Sequence, residues 1–203
     1  MNSITESFKT IILQQNGLGY HMPKILNPPA TEEEISQAEK VLNIKFNHDL
    51  RELYSLANGI HNDYQTPSGL TGIIPIHNFL SLADAVDYYN NNIEFRESFF
   101  NSDKDFTPDI QLFPFLEDGA GNCFWVDLNP NTNNENKIFW TNTFGKDPDY
   151  LYDSLKNLFH TIAESYEKNL FFIDKDGFLG LDYSKFDKIS ADNNNFLDYW
   201  KDS

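Results

Sequence analysis

Residues 28–59 read PPATEEEISQAEKVLNIKFNHDLRELYSLANG, a stretch that predicts two capped helices in succession. Thr31 and Glu34 have the spacing of a capping box, in which each side chain bonds the backbone N–H of the other residue. Asn47 is a suitable N-cap for a second helix. Apolar residues then recur at helical spacing behind both caps, namely Ile35, Ala38 and Leu42 in the first helix and Leu50, Leu53, Tyr54 and Ala57 in the second. We therefore expect a helical pair here.

Turn and cap signals outside this stretch predict further helices and then strands. Asn58-Gly59 predicts the end of the second helix, because both residue types tolerate the left-handed conformation. Residues 69–79 read as a short strand interrupted by Pro75, and 111–130 read as strand, Gly-containing turn and strand. Other signals are N-caps at Ser3 and Ser81, a third strand over 137–143, and a late helix beginning at Asp147-Pro148. This order predicts an α+β fold, a single domain with helices packed around a twisted, mostly antiparallel β-sheet and a short C-terminal extension.

Composition restricts the classes of partner. The chain has 15 Lys and Arg against 31 Asp and Glu, a net charge of −16, which disfavours nucleic acid and anionic membranes as ligands. The single cysteine, Cys123, excludes an internal disulfide and is typical of a cytoplasmic protein. We expect it to be a small buried hydrophobe, since no base stands near it. The N-terminus does not resemble a signal peptide, and no apolar run approaches the roughly 20 residues that span a bilayer.

The negative charge is concentrated in residues 81–130, which hold ten acids against Arg96 and Lys104. Two interpretations stay open at this point: a solvated face that maintains solubility, or a surface that meets a basic partner. The acids are Asp84, Asp87, Glu94, Glu97, Asp103, Asp105, Asp109, Glu117, Asp118 and Asp127.

Candidate chemistry is sparse. Glu117, Asp118 and Asp127 flank the central turn and could form a pair of catalytic carboxylates, but Asp118-Gly119 is also ordinary turn chemistry. Trp125 and Trp140 could stack on a ligand, although aromatic residues in strands more often form core or cross-strand pairs. The histidines show no metal-ligand spacing, and they are His21, His48, His61, His77 and His160. We expect no catalytic group, no cofactor and no metal.

The order of these motifs resembles the SUKH superfamily, which includes fungal cell-wall-assembly regulators and bacterial toxin-immunity proteins. The resemblance covers residues 28–170, with 1–27 as an N-terminal helix and linker and 171–203 as a C-terminal hairpin and tail packed on the core. It rests on Pro29-Ala30-Thr31, Ile35, Glu39, Leu42, Leu53-Tyr54 and Asn58-Gly59, then Phe113-Pro114-Phe115, Asp118-Gly119-Ala120-Gly121-Asn122 and Phe124-Trp125-Val126-Asp127, and a late helix with Phe159. Asn43 stands where the family commonly has glycine.

The resemblance implies structural roles for Glu39, Asn58, Gly59, Gly119 and Gly121, and a binding function without catalysis. We therefore predict an immunity protein that binds a cognate basic toxin, of nuclease type, in the cytosol of the producing cell. Its interface would draw on the acids near the central turn: Asp84, Asp87, Glu117, Asp118 and Asp127. The alternatives are a non-catalytic regulatory module that scaffolds cell-envelope or signalling proteins, and a hydrolase with paired carboxylates.

Overall fold

The computed structural model describes residues 3–61, 66–92, 111–142 and 149–201, which form seven α-helices and two β-sheets. The helices are α1 (Ile4–Gly17), α2 (Glu32–Leu42), α3 (His48–Leu56), α4 (Leu82–Asn91), α5 (Leu155–Glu167), α6 (Tyr183–Asn194) and α7 (Asp198–Lys201). The strands are β1 (Asn78–Phe79), β2 (Leu112–Glu117), β3 (Cys123–Asp127), β4 (Ile138–Thr141), β5 (Asp149–Tyr152), β6 (Phe171–Ile173) and β7 (Leu179–Leu181). Two 3₁₀ turns span Met22–Lys24 and Ser68–Leu70.

The main sheet has five antiparallel strands in the order β1-β2-β3-β4-β5, and β6 and β7 form a separate hairpin. The register between β2 and β3 shifts from Pro114 to Leu116. A proline has no N–H to donate to a ladder, so a bulge beside it is expected. The α+β prediction is confirmed. Among the described helices, none combines the length and apolar character needed to cross a membrane.

Four of the predicted N-caps are formed, and they set where α1, α2, α3 and α4 begin. Capping boxes join Ser3 to Glu6 and Thr31 to Glu34, while the side chains of Asn47 and Ser81 accept bonds from Leu50 N and Asp84 N. Each bond satisfies an N–H that a helix terminus leaves unpaired.

The predicted left-handed end of α3 at Asn58-Gly59 is wrong. Helix α3 ends at Leu56, and its C-cap Ala57 is extended, with φ −159°. The left-handed C-cap belongs to α2 instead, where Asn43 has φ 53°. Asparagine tolerates this conformation next best after glycine.

Asn58 and Gly59 connect α3 to the start of α4. The Asn58 side-chain oxygen accepts a bond from Leu82 N at 2.8 Å. Gly59 has φ 68°, and a Cβ added to it would lie 2.3 Å from Ser81 N and 2.4 Å from the Leu80 carbonyl carbon. Only a glycine allows the two backbone segments to approach this closely.

The predicted strand over 69–79 is mostly irregular, since only Asn78–Phe79 pairs in the sheet. Before it, Ile74 bridges His77 across a tight turn at Pro75-Ile76. The apolar run folds back on itself at Pro75-Ile76, so the strand is confined to the last two residues, at the edge of the sheet.

The prediction that a helix begins at Asp147-Pro148 is also wrong. Those two residues lie outside the described part of the chain, but Asp149–Tyr152 is strand β5, paired with β4. The following helix begins at Leu155, where the Ser154 hydroxyl accepts a bond from Asn157 N.

Apolar side chains cover both faces of the sheet. One face joins the main core, in which Phe8 of α1 and Phe159 of α5 have ring centroids 6.2 Å apart. The other face carries a smaller cluster of Leu112, Cys123, Trp125 and Phe139, covered by Tyr88 of α4. The predictions that Cys123 is buried and that Trp125 lies in the core are confirmed.

The C-terminal residues 171–201 pack on α5 and on β5, at one edge of the sheet. Trp200 of α7 donates from Nε1 to the Leu151 carbonyl at 2.6 Å. Its ring also meets Tyr152 edge-on, with centroids 6.3 Å apart. Helices α6 and α7 thereby become one wall of a cavity described below.

Candidate functional site

Four of the five predicted interface acids lie where α4 packs beside the end of β2. Asp84 and Asp87 are three residues apart on α4, the spacing that makes them neighbours on a helix surface. Glu117 is the last residue of β2, and Asp118 opens the turn to β3. We call this set, Asp84, Asp87, Glu117 and Asp118, the acidic patch.

The turn from β2 to β3 fixes two of these carboxylates in place. Asp118 Oδ1 accepts bonds from Ala120 N at 2.8 Å and Asn122 N at 3.0 Å. Glu117 Oε2 accepts a bond from Gly119 N at 2.5 Å. The turn interpretation of Asp118-Gly119 is confirmed, and the same hydrogen bonds hold the charges in fixed positions. Gly119 and Gly121 follow with φ 75° and 97°.

Two acids of the patch, Asp84 and Asp118, lie close enough to Glu117 to affect its carboxyl. Burial raises the pKa of Glu117, and the negative charges of Asp118 and Asp84 raise it further. No Lys or Arg occurs in residues 66–92 or 111–136, the described segments that carry the patch, and Lys40 lies on the neighbouring helix α2. The carboxylates of the patch therefore have no cationic residue beside them in the sequence of these two segments.

A groove between α2 and α4 adjoins the patch. Its floor includes Ala38, Val41 and Val86, and Val41 is 53% exposed. Its rim carries the carboxylates of Glu33, Glu34 and Asp87. The sequence reasoning missed this groove, although Val41 stands on the polar side of its helical pattern. Val41 thus presents an exposed apolar side chain in a groove that is also lined by Glu33, Glu34 and Asp87.

Asp127, the fifth predicted acid, is not part of the patch. It is only 4% exposed, and its carboxylate accepts bonds from Tyr150 Oη at 2.6 Å and Asn129 N at 2.9 Å. Burial raises its pKa, while the bonds from Tyr150 and Asn129 oppose the rise. This prediction is corrected: the sequence showed the charge of Asp127 but not the hydroxyl that encloses it.

The structure also separates two of the acids, Glu117 and Asp127, that the paired-carboxylate alternative would bring together. Glu117 pairs with Cys123 and Asp127 with Leu112, at opposite ends of the two strands. Five residues of strand separate these positions by about 16 Å. Paired carboxylates in glycoside hydrolases lie within about 10 Å of each other, so Glu117 and Asp127 do not form such a pair.

Glu39 joins α2 to the segment that leads into α3. It is 7% exposed and accepts bonds from Phe46 N at 2.9 Å, Arg51 Nη1 at 2.7 Å and Lys45 Nζ at 3.3 Å. Burial alone would raise the pKa of Glu39, but these bonds outweigh it and lower the pKa. Its contacts make Glu39 a structural residue of the helical pair.

His48, Asp49 and Glu52 bring possible metal-ligand atoms within 4.8 Å of one another on α3. Glu52 Oε1, however, already accepts bonds from Thr5 N at 3.1 Å and Thr5 Oγ1 at 2.6 Å. This carboxylate ties α3 to α1, and we assign no ion to the group.

A model of the SMI1 / KNR4 family (SUKH-1) matches residues 29–164. The match includes the helical pair, the acidic patch and most of α5, and it leaves out α1 and everything from β6 onward. A search of curated proteins returns no match.

Proposed function

Because the chain belongs to the SMI1 / KNR4 family (SUKH-1), we propose that it is an immunity protein that binds and neutralises a cognate secreted toxin in the cytosol of the producing cell. SUKH proteins are generally non-catalytic immunity or regulatory proteins. The observation that carries the proposal is the acidic patch: clustered carboxylates, on described segments that contain no Lys or Arg, in a chain of net charge −16.

The partner that fits this surface is a basic toxin domain, of the kind found in nucleases. A nuclease must present cations to the phosphate backbone of its substrate, and the same cations would meet the carboxylates of the patch. The groove between α2 and α4 would bury apolar side chains of the toxin beside those charges. Charge would thus speed the encounter, and apolar burial would hold the complex.

The first experiment is co-expression with the product of a neighbouring gene, followed by pull-down. A neighbour that is toxic alone and harmless when bound supports immunity. Capture of a non-toxic envelope or signalling protein instead would favour the regulatory alternative. Failure to bind any encoded neighbour would count against the immunity assignment.

The second experiment tests the patch with isosteric substitutions, each of which keeps one acceptor oxygen on its side chain. The patch variant carries Asp84→Asn, Asp87→Asn, Glu117→Gln and Asp118→Asn. The control variant carries Glu135→Gln, Glu167→Gln, Asp176→Asn and Asp192→Asn, at acids that are exposed elsewhere. Both variants lose four negative charges, so only the position of the charge differs.

Electrostatic steering raises association rates about 10- to 1,000-fold. We therefore expect the patch variant to associate with the toxin at least tenfold more slowly than the control variant at low ionic strength, as measured by stopped-flow fluorescence. The difference should shrink as salt is added. Equal rates for the two variants, with full protection of cells by both, would exclude this placement of the interface.

A further inference from the structure

A cavity of about 230 Å³ lies between the main sheet and the C-terminal helices. The sheet contributes Phe124 of β3 and Trp140 of β4 to its lining, and α6 and α7 contribute Tyr183 and Trp200. Because the family match ends at residue 164, the helical side of the cavity belongs to the C-terminal extension of this chain. The described lining shares no residue with the acidic patch, so the cavity is a separate candidate site.

Aromatic rings make up most of this lining. Seven of the thirteen described lining residues are Phe, Tyr or Trp. The rings of Tyr199 and Trp200 meet at 83° with centroids 4.7 Å apart, and those of Tyr152 and Trp200 meet at 62°. Planes that meet at such angles form corners rather than a flat stack, and several rings around one space are typical of the aromatic cages that hold organic cations.

The two indole rings offer carbon to a ligand rather than a hydrogen-bond donor. Trp140 is half-buried, but its Nε1 is fully buried and out of reach of a ligand. Trp200 Nε1 donates to the Leu151 carbonyl at 2.6 Å. The face of an indole ring carries partial negative charge, and of the aromatic side chains Trp attracts a cation most strongly.

One carboxylate also lines the cavity. Asp187 of α6 is exposed, and Tyr183 on the same helix is 58% exposed, so the cavity is open to solvent on the side of α6. Burial raises the pKa of Tyr183, and the negative charge of Asp187 raises it further. The charge of Asp187 is therefore felt by an aromatic residue of the lining.

No positive charge opposes this carboxylate within the described lining, which contains neither Lys nor Arg. Lys185 and Lys188 stand near Asp187 in the sequence of α6, but side chains one or two positions apart do not face each other on a helix. Lys185 pairs instead with Asp182 at 2.8 Å. Burial lowers the pKa of the lining residue His77, so its ring is neutral at pH 7. The lining thus combines aromatic surface with net negative charge.

We propose that this cavity binds a trimethylammonium group. The group spreads its positive charge over methyl groups, which pack against aromatic rings, and it needs no hydrogen-bond acceptor. A neutral ligand of the same shape would cover the Asp187 carboxylate without offsetting its charge, at a cost in desolvation. The volume is sufficient, since an engineered cavity of about 150 Å³ in another protein holds benzene.

The test uses choline as the probe and 3,3-dimethylbutan-1-ol as the matched control, in which carbon replaces the nitrogen atom and only the charge is lost. Titration calorimetry with the full-length protein should give choline a Kd of about 1 mM or below. The neutral alcohol should bind roughly tenfold more weakly or worse. Sodium chloride keeps the ionic strength equal in both titrations, because salt screens the attraction to Asp187. Choline should also raise the melting temperature, since it stabilises only the folded state.

A second pair of probes identifies the source of the group, which can be a free small molecule or a trimethylated lysine of another protein. The probes are the N-acetyl amides of trimethyllysine and of unmodified lysine. Tighter binding of the trimethyllysine derivative than of choline would support the proposal with a modified protein as the ligand. Equal or weaker binding than choline would support it with a free molecule as the ligand.

Matched variants locate the binding site. Asp187→Asn removes the charge of the lining, and Tyr183→Leu removes an aromatic ring but keeps an apolar side chain, so each should weaken choline roughly fivefold or more. Asp192→Asn, at an exposed acid of the same helix, and Phe196→Leu, at a ring 52% exposed outside the described lining, should bind as the unmodified protein does. Circular dichroism and melting curves check that each variant folds.

The proposal is overturned if the unmodified protein binds neither choline nor the trimethyllysine derivative, or if it binds choline and the neutral alcohol equally. It is also overturned if folded Asp187→Asn and Tyr183→Leu both retain full affinity for choline. Should either variant fail to fold, the comparison of the charged and neutral probes on the unmodified protein still decides.

Discussion

Replacing Gly59 with alanine should destabilise the protein far more than the same change at Gly119. Both glycines have left-handed backbones, with φ 68° and 75°. The added Cβ at position 59 would meet the backbone of Leu80 and Ser81 at 2.3–2.6 Å, whereas nothing lies within 4 Å of a Cβ at position 119. The pair of variants therefore separates the cost of the conformation from the cost of the close approach.

The magnitude follows from these distances. A left-handed alanine costs about 1 kcal/mol relative to glycine, and this is the whole expected loss for Gly119→Ala. At Gly59 the neighbouring backbone must also retreat by about 1 Å to reach normal contact near 3.5 Å. That shift strains the bond from Leu80 N to the Phe115 carbonyl, now 3.0 Å. With overpacking at about 1–3 kcal/mol and a weakened hydrogen bond at about 1 kcal/mol, Gly59→Ala should lose about 3–5 kcal/mol.

Urea denaturation followed by circular dichroism measures both losses as changes in the free energy of unfolding. A chain of this size loses about 2–4 °C in melting temperature per kcal/mol. Gly59→Ala should therefore melt roughly 6–20 °C below the unmodified protein, and Gly119→Ala about 2–4 °C below it. If Gly59→Ala loses no more stability than Gly119→Ala, the close approach of the Leu80 and Ser81 backbone to Gly59 has no measurable cost.

Two further changes test the helical pair. Glu39→Ala leaves Phe46 N without its acceptor and removes one of the two carboxylates that Arg51 pairs with, the other being Glu32, so it should cost about 3 kcal/mol. Lys45→Ala, at a side chain 88% exposed, should cost under about 0.5 kcal/mol. Similar losses for the two variants would contradict a structural role for Glu39. Because the folded pKa of Glu39 lies below 4.5, its contribution is complete above pH 4.5, and the gap between the unmodified protein and Glu39→Ala should narrow as the pH falls below that value. Asn58→Ala removes the acceptor for Leu82 N and should cost about 1 kcal/mol. Asn58→Asp keeps an acceptor and should melt close to the unmodified protein. Equal melting temperatures for the two variants would show that this hydrogen bond is unimportant.

The features that the sequence predicts correctly are those whose partners stand close together in the chain. The capping boxes at Ser3 and Thr31 need only a Glu three residues later, so the local sequence contains all of the information. The fold class follows in the same way, from periodicity and turn residues.

The wrong predictions concern residues whose structure depends on a segment far away in the sequence. Residues 149–152 follow a helix-start signal, yet they become a strand because β4 offers an unpaired edge. Asp127 and Glu117 are both acidic residues. The carboxylate of Asp127, however, is buried and accepts a hydrogen bond from Tyr150, which lies 23 residues further along the chain. Asn58-Gly59 has the composition of a helix end and instead holds α4 in place.

By itself, the sequence determines the net charge, the helix starts, the fold class and the likeness to the SUKH proteins, because each of these depends on composition or on neighbours in the chain. The tertiary structure alone decides which acids share a patch and which one is enclosed. It also assembles a cavity from His77, Trp140 and Trp200, three side chains far apart in the sequence. The physical reason is that burial and pairing arise only when distant segments pack. Burial and pairing then decide which charges a partner meets at the surface.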